Sequence, residues 1–122
     1  MSNAGWLTAT DHGTWFRVDT DSSTNYVSRL LLYLNALSGT IPAQIGQFTS
    51  LTLLLFTENS LSGTIPTQIG QLTSLTGLYI YGNALSGSIP DSVCDLPSIV
   101  YGFYADCVNC VLSKPGCCDV CY

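Results

Sequence analysis

Apolar positions along the chain return at a fixed interval. At a shift of 24 residues, Leu37-Ser-Gly-Thr-Ile-Pro42 falls on Leu61-Ser-Gly-Thr-Ile-Pro66 and then on Leu85-Ser-Gly-Ser-Ile-Pro90. The same register carries Ile45 onto Ile69 and Val93, Phe48 onto Leu72 and Leu96, Leu51 onto Leu75 and Ile99, and Asn35 onto Asn59 and Asn83. Recurring apolar positions at constant spacing imply stacked units that share one core. Within a unit, Leu75-x-x-Leu78-x-Ile80-x-x-Asn83-x-Leu85 begins as an alternating run and ends in a turn. Alternation of period two predicts a short strand with Leu78 and Ile80 inward and Tyr79 and Tyr81 outward. The asparagine follows where the coil bends inward. Its amide both donates and accepts, so Asn35, Asn59 and Asn83 are expected to form an interior ladder that satisfies backbone groups left by the turn.

Leu61-x-Gly63-x-Ile65-Pro66-x-x-Ile69-Gly70-x-Leu72-x-x-Leu75 resembles the signature of the plant-specific class of leucine-rich repeats, and the resemblance runs over roughly residues 27 to 107. It implies an α/β right-handed solenoid. A short parallel sheet of about four strands lines the concave face, further short strands lie near Leu37, Leu61 and Leu85, and the convex side is irregular or 3-10 helical. The expected division is an N-terminal cap over 1–26, three 24-residue repeats over 27–98, and a last strand with a disulfide-rich cap over 99–122.

A solenoid exposes its core at both ends, so both flanks are read as caps. The stretch around Trp6 and Trp15 is similar to the family's N-terminal cap, but Gly13 and Thr20 stand at its two cysteine positions and Arg17 at a usual glycine. All six cysteines, Cys94, Cys107, Cys110, Cys117, Cys118 and Cys121, lie at the other end. An even, clustered set predicts a disulfide-stapled cap, with the pairing left open except that the adjacent Cys117 and Cys118 are poor partners. Two CxxC pairs also suit a metal, but only seven residues separate them, so no metal site is expected. In the last repeat Gly102 falls where Leu78 predicts leucine, and Cys107 where the ladder predicts asparagine. The strand Tyr101–Asp106 is expected to be the final one, fastened by Cys107. Disulfides place the chain in an oxidising, extracytoplasmic compartment: secreted, at the cell surface, or in an organelle lumen.

Composition narrows the function. Charged residues make up 9% of the chain against about 25% in an ordinary domain, and the net charge is -5. Arg17, Arg29 and Lys114 cannot form the positive stripe that a phosphate backbone needs, so nucleic acid is excluded as a partner. The longest apolar run, Leu30 to Leu34, is far short of a membrane span, and no transmembrane segment is expected. No basic-then-apolar leader opens the chain, so a signal peptide is expected to have been removed or to lie upstream. His12 beside Asp11 lacks a nucleophile context, and Asp19 with Asp21 lacks the oxygen ligands and glycine of a calcium loop. Neither a catalytic residue nor a cofactor is expected.

The 24-residue register also sorts the outward residues into columns. Leu31, Leu55, Tyr79 and Phe103 form the central one. Tyr33, Thr57, Tyr81 and Ala105 run on one side, Arg29, Leu53, Gly77 and Tyr101 on the other, and Leu34, Glu58, Gly82 and Asp106 along the rim. An apolar and aromatic patch on a face that meets water marks a contact surface, although cross-strand packing of the same side chains would also stabilise the sheet. The candidate partner-binding residues are Arg29, Leu31, Tyr33, Leu55, Thr57, Glu58, Tyr79, Tyr81, Tyr101 and Phe103. The expected function is non-catalytic protein binding, with a loop, peptide or helix on the concave face. Two other classes compete: a small accessory subunit of a larger, membrane-associated assembly, and an ice-binding or enzyme-inhibiting protein. The hydroxyls that recur at Thr40, Thr64 and Ser88 suggest ice.

Overall fold

The computed structural model describes residues 17–97, 99, 102–106, 115, 117 and 120–121. The 24-residue period becomes one coil of chain per repeat. Each coil contributes a short strand to a main sheet: β2 (Val27–Leu31), β4 (Leu53–Leu55), β6 (Gly77–Tyr79) and β8 (Gly102–Ala105), all parallel. β2 pairs with β4 as Arg29↔Leu53 and Leu31↔Leu55, and β4 with β6 as Leu53↔Gly77 and Leu55↔Tyr79, so residues 24 apart are neighbours.

Two strands that the repeat does not predict flank this set. β1 (Arg17–Thr20) runs antiparallel to β2, and β9 (Val120–Cys121) runs parallel to β8, giving the order β1-β2-β4-β6-β8-β9. β8 is therefore not the last strand. At the turn between β1 and β2, Asp21 accepts hydrogen bonds from the Ser23 hydroxyl, the Ser23 N–H and the Thr24 N–H, and these hold its carboxyl below the ordinary carboxylate range.

A second parallel sheet follows each turn: β3 (Ser38–Thr40), β5 (Ser60–Thr64) and β7 (Ala84–Ser86). Its register is offset. Thr40 pairs with Ser62 and Thr64 with Ser86, 22 residues apart, so hydroxyls that recur every 24 residues do not stand opposite one another. Other hydroxyls of the repeat stitch coil to coil. Thr52 Oγ1 donates to the Ser28 carbonyl at 2.9 Å and Thr76 Oγ1 to the Thr52 carbonyl at 2.8 Å.

Among the described residues, the convex side carries two 3-10 helices, η1 (Ala43–Gln47) and η2 (Thr67–Gln71), and one α-helical turn, α1 (Asp91–Cys94). Each starts directly after the repeat proline, whose extended φ and ψ lead the chain into the turn. The core between the layers is the recurring apolar set: Leu30, Leu54 and Leu78 from the strands, Ile45, Ile69 and Val93 from the convex side, with Leu51, Leu75, Leu72 and Phe56 among them, all fully buried.

Successive convex turns stack closely because glycine stands at the contact. A Cβ on Gly46 would sit 2.7 Å from the Gln68 carbonyl oxygen, and one on Gly70 would sit 2.6 Å from Ser92 Oγ. A backbone carbonyl cannot swing aside as a flexible side chain can. Gly46→Ala is therefore expected to destabilise the protein by about 2 kcal/mol through overpacking, read as a lowered urea midpoint with unchanged slope.

The asparagine ladder forms. Asn59 Oδ1 accepts the N–H groups of Asn35 at 2.9 Å and Leu37 at 3.1 Å, while its Nδ2 donates to the carbonyls of Leu32, Phe56 and Thr57. One coil on, Asn83 Oδ1 accepts from Leu61 N–H, and Nδ2 donates to Phe56, Ile80 and Tyr81. Among the described residues, Asn35 joins only through its backbone N–H. Among the described residues, the Asp106 carboxylate also accepts the N–H groups of Gly82 at 2.9 Å and Asn83 at 3.3 Å.

The last coil is one residue longer than the others. Gly77 pairs with Gly102, Leu78 with Phe103 and Tyr79 with Tyr104, a spacing of 25. This corrects two expectations. Gly102 does not replace a core leucine, and Phe103 does not continue the column of Tyr79. The extra residue lies between Leu96, still buried as Leu72 is, and Gly102. Cys94 and Cys117 form a disulfide that ties α1 to the C-terminal segment. Cys107, Cys110 and Cys118 lie outside the described residues, as do His12 and Tyr101.

Candidate binding face

Strand alternation sets the concave surface. Leu54, Phe56, Leu78 and Ile80 are fully buried, whereas Leu53, Leu55, Tyr79 and Tyr81 between them are half-exposed. Two adjacent ranks result from residues 24 apart: Leu55 beside Tyr79, and Tyr33, Thr57 and Tyr81 on successive coils. Because the backbone bonds of a parallel strand are shared with its neighbours, these side chains are held at a spacing of about 4.8 Å per coil. Tyr33, Leu55, Tyr79 and Tyr81 are the half-exposed apolar and aromatic side chains of these ranks.

Two of the candidate residues contribute little to it. Leu31 exposes 7% of its surface and Thr57 5%. β1 extends the sheet alongside Leu31, which is therefore an interior position rather than an edge. Thr57 is a short side chain between the tyrosines of the coils before and after it. The expectation that both face water is corrected. Phe103 stands at the register position of Leu78 and Tyr104 at that of Tyr79.

The charged candidates sit at the margins. Arg29 is paired with Asp19 across β1 and β2 at 3.4 Å. Glu58 is exposed on the rim, in the left-handed turn that also holds Leu34 and Gly82: φ is +53° at Leu34, +56° at Glu58 and +74° at Gly82. Only glycine adopts this conformation without strain, yet two of the three coils place a large side chain there. The more prominent clefts are lined by Tyr26, Val27 and residues 47–50, and by residues on β3, β5 and the convex side, and neither touches a candidate residue. Among the described residues no cluster of His, Cys, Asp and Glu is placed to hold a metal, and no helix is long and apolar enough to cross a membrane.

Coils of this length, with one concave strand, a half-buried asparagine and a 3-10 turn, match the family described as Leucine Rich Repeat over residues 50–72 and 74–96. The chain is a leucine-rich-repeat protein of the plant type. Solved structures similar to it include the ectodomain of a plant receptor kinase. The structure of PEPR1–AtPEP1 is 32% identical over 75% of this chain, with a TM-score of 0.65. A plant peptide hormone receptor, RGFR1 in complex with RGF2, is 37% identical over 65% of the chain, with a TM-score of 0.59. The leucine-rich-repeat ectodomain of the receptor kinase SOBIR1 from Arabidopsis thaliana is 26% identical over 73%, with a TM-score of 0.61. The chain spans 12% and 13% of the first two structures and 50% of the third. No curated protein sequence matches it.

Sequence reasoning missed Asp106 as an acceptor for the N–H groups of Gly82 and Asn83, and Tyr104 as the register partner of Tyr79. The register partner was legible only at a shift of 25, where Gly77-Leu78-Tyr79 falls on Gly102-Phe103-Tyr104.

Proposed function

We propose that this leucine-rich-repeat chain is a non-catalytic binding module that takes a peptide or an extended protein segment on its concave sheet, outside the cytoplasm. The observation that carries the reading is the half-exposed rank of Leu55, Tyr79, Tyr33 and Tyr81 on a rigid, parallel sheet. Tyrosines held by backbone pairing bury area at low entropic cost, and an apolar surface of this kind gains by being covered. Two relatives support the class of partner: one is titled a peptide hormone receptor in complex with RGF2, the other PEPR1–AtPEP1. The Cys94–Cys117 disulfide suits an oxidising compartment.

The test is selection of a random peptide library on the immobilised, folded chain, followed by the variant Leu55→Asp/Tyr79→Asp. Selected peptides should bind the variant at least about tenfold more weakly, since charge placed in the centre of an apolar contact is desolvated without a partner. Circular dichroism should show the fold retained. Equal binding by the variant overturns the reading.

A further inference from the structure

The chain carries eight acidic residues and three basic ones, so at least five carboxylates stay uncompensated whatever the pairing. Their placement on the concave side is uneven. Between residues 30 and 90 the sequence holds a single charged side chain, Glu58. It is exposed, and its carboxylate has no hydrogen-bond or ion-pair partner among the described residues. Arg29 is the only basic side chain described, and it is occupied by Asp19.

The backbone fixes where the Glu58 carboxylate lies. Its N–H donates to the Tyr81 carbonyl at 3.1 Å, which seats Glu58 at the end of β4, next to Tyr81 of the following coil. From there the side chain crosses onto Gly82, where a Cβ would meet Glu58 Oε1 at 2.7 Å. The carboxylate of Asp106 reaches the same glycine from the opposite coil through its N–H at 2.9 Å. Two carboxylates therefore bracket Gly82 beside the aromatic rank, and each oxygen of an ionised carboxylate has lone pairs to spare for a further donor.

We infer that the segment bound on the concave sheet is a basic peptide, extended along the coils, with apolar or aromatic side chains on Leu55 and Tyr79 and a lysine or arginine directed at Glu58. This rests on the reading of the concave sheet as a peptide-binding face and adds the sign of the partner. Charge complementarity favours that sign twice. At short range, a cation entering between Glu58 and Asp106 replaces water with charge-assisted hydrogen bonds, and arginine is preferred because its planar fork also stacks on tyrosine faces. At long range, the net charge of -5 draws cationic segments to the chain and repels acidic ones, and Glu58 is the one charged side chain that the sequence holds between residues 30 and 90.

The experiment uses the whole chain and the peptides recovered by the library selection. Recovered sequences are expected to be enriched in arginine and lysine next to apolar residues and depleted of aspartate and glutamate. Glu58→Gln should weaken them about tenfold, mostly in association rate, and raising the salt from about 0.05 M to 0.5 M should weaken the original chain much more than the variant. Glu58→Gln changes one exposed side chain, so its melting temperature should match that of the original. Peptides that lose affinity on Leu55→Asp/Tyr79→Asp, yet show no basic enrichment and ignore Glu58→Gln, overturn this inference and leave the binding face standing. Peptides that ignore both variants overturn both.

Discussion

Asn59→Ala is expected to cost about 3 to 4 kcal/mol, while Asn35→Ala should cost under about 1 kcal/mol, although the two residues occupy the same place in consecutive repeats. The difference follows from what each amide holds. Without the Asn59 side chain, the N–H groups of Asn35 and Leu37 and the carbonyl of Leu32 lose the partner they have. The carbonyls of Phe56 and Thr57 keep one each, from Asn83 Nδ2 and from the Leu34 N–H. Three backbone groups in a half-buried setting are left unpaired, at about 1 to 3 kcal/mol apiece before water reaches some of them. Among the described residues Asn35 supplies only a backbone N–H, which any residue but proline provides. Denaturant melts of the two variants give the comparison, and amide exchange at Asn35 and Leu37 should quicken in Asn59→Ala. Equal costs would mean that the ladder does not carry the turn.

Removing the Cys94–Cys117 bridge as the double variant Cys94→Ala/Cys117→Ala is expected to cost about 3 kcal/mol, the value for closing a loop of its 23-residue separation. The effect should also be local. Cys94 ends α1 and packs against the core, and Cys117 is 9% exposed within it, so the bridge fastens the last coil to the coil before. Limited proteolysis should then cut the C-terminal segment first, while the strands β2, β4 and β6 stay protected. Simultaneous loss of all strands would show instead that the solenoid unfolds as a single unit.

The middle of the molecule was legible in the sequence because it repeats. Leu54 and Leu78, Ile45 and Ile69, and Asn59 and Asn83 each see the same neighbours one coil apart, so a spacing of 24 gives fold, register and core together. The ends break that symmetry. β1 has no counterpart in the repeat, and its antiparallel course cannot be read from a period. The inserted residue after Leu96 keeps the convex apolar positions in register and shifts only the strand that follows, so Val93 and Leu96 gave no warning. On the concave sheet, alternation placed Tyr79 and Tyr81 outward, where they are half-exposed. It could not tell that Leu31 and Thr57 are covered, because their burial depends on which strand or side chain stands beside them.

The reversed strand at the N-terminal edge also governs how molecules meet one another. Stacked coils would otherwise offer an open parallel edge, onto which the coils of a second molecule could add in step, and a fibre would grow end to end. β1 presents the opposite chain direction at that edge. An incoming parallel coil would have to pair antiparallel there, which turns its convex half away from the stack and leaves its core uncovered. Among the described strands β1 is thus a polarity mismatch for an incoming parallel coil, and removing it from chains lengthened by inserted repeats is expected to lower their solubility.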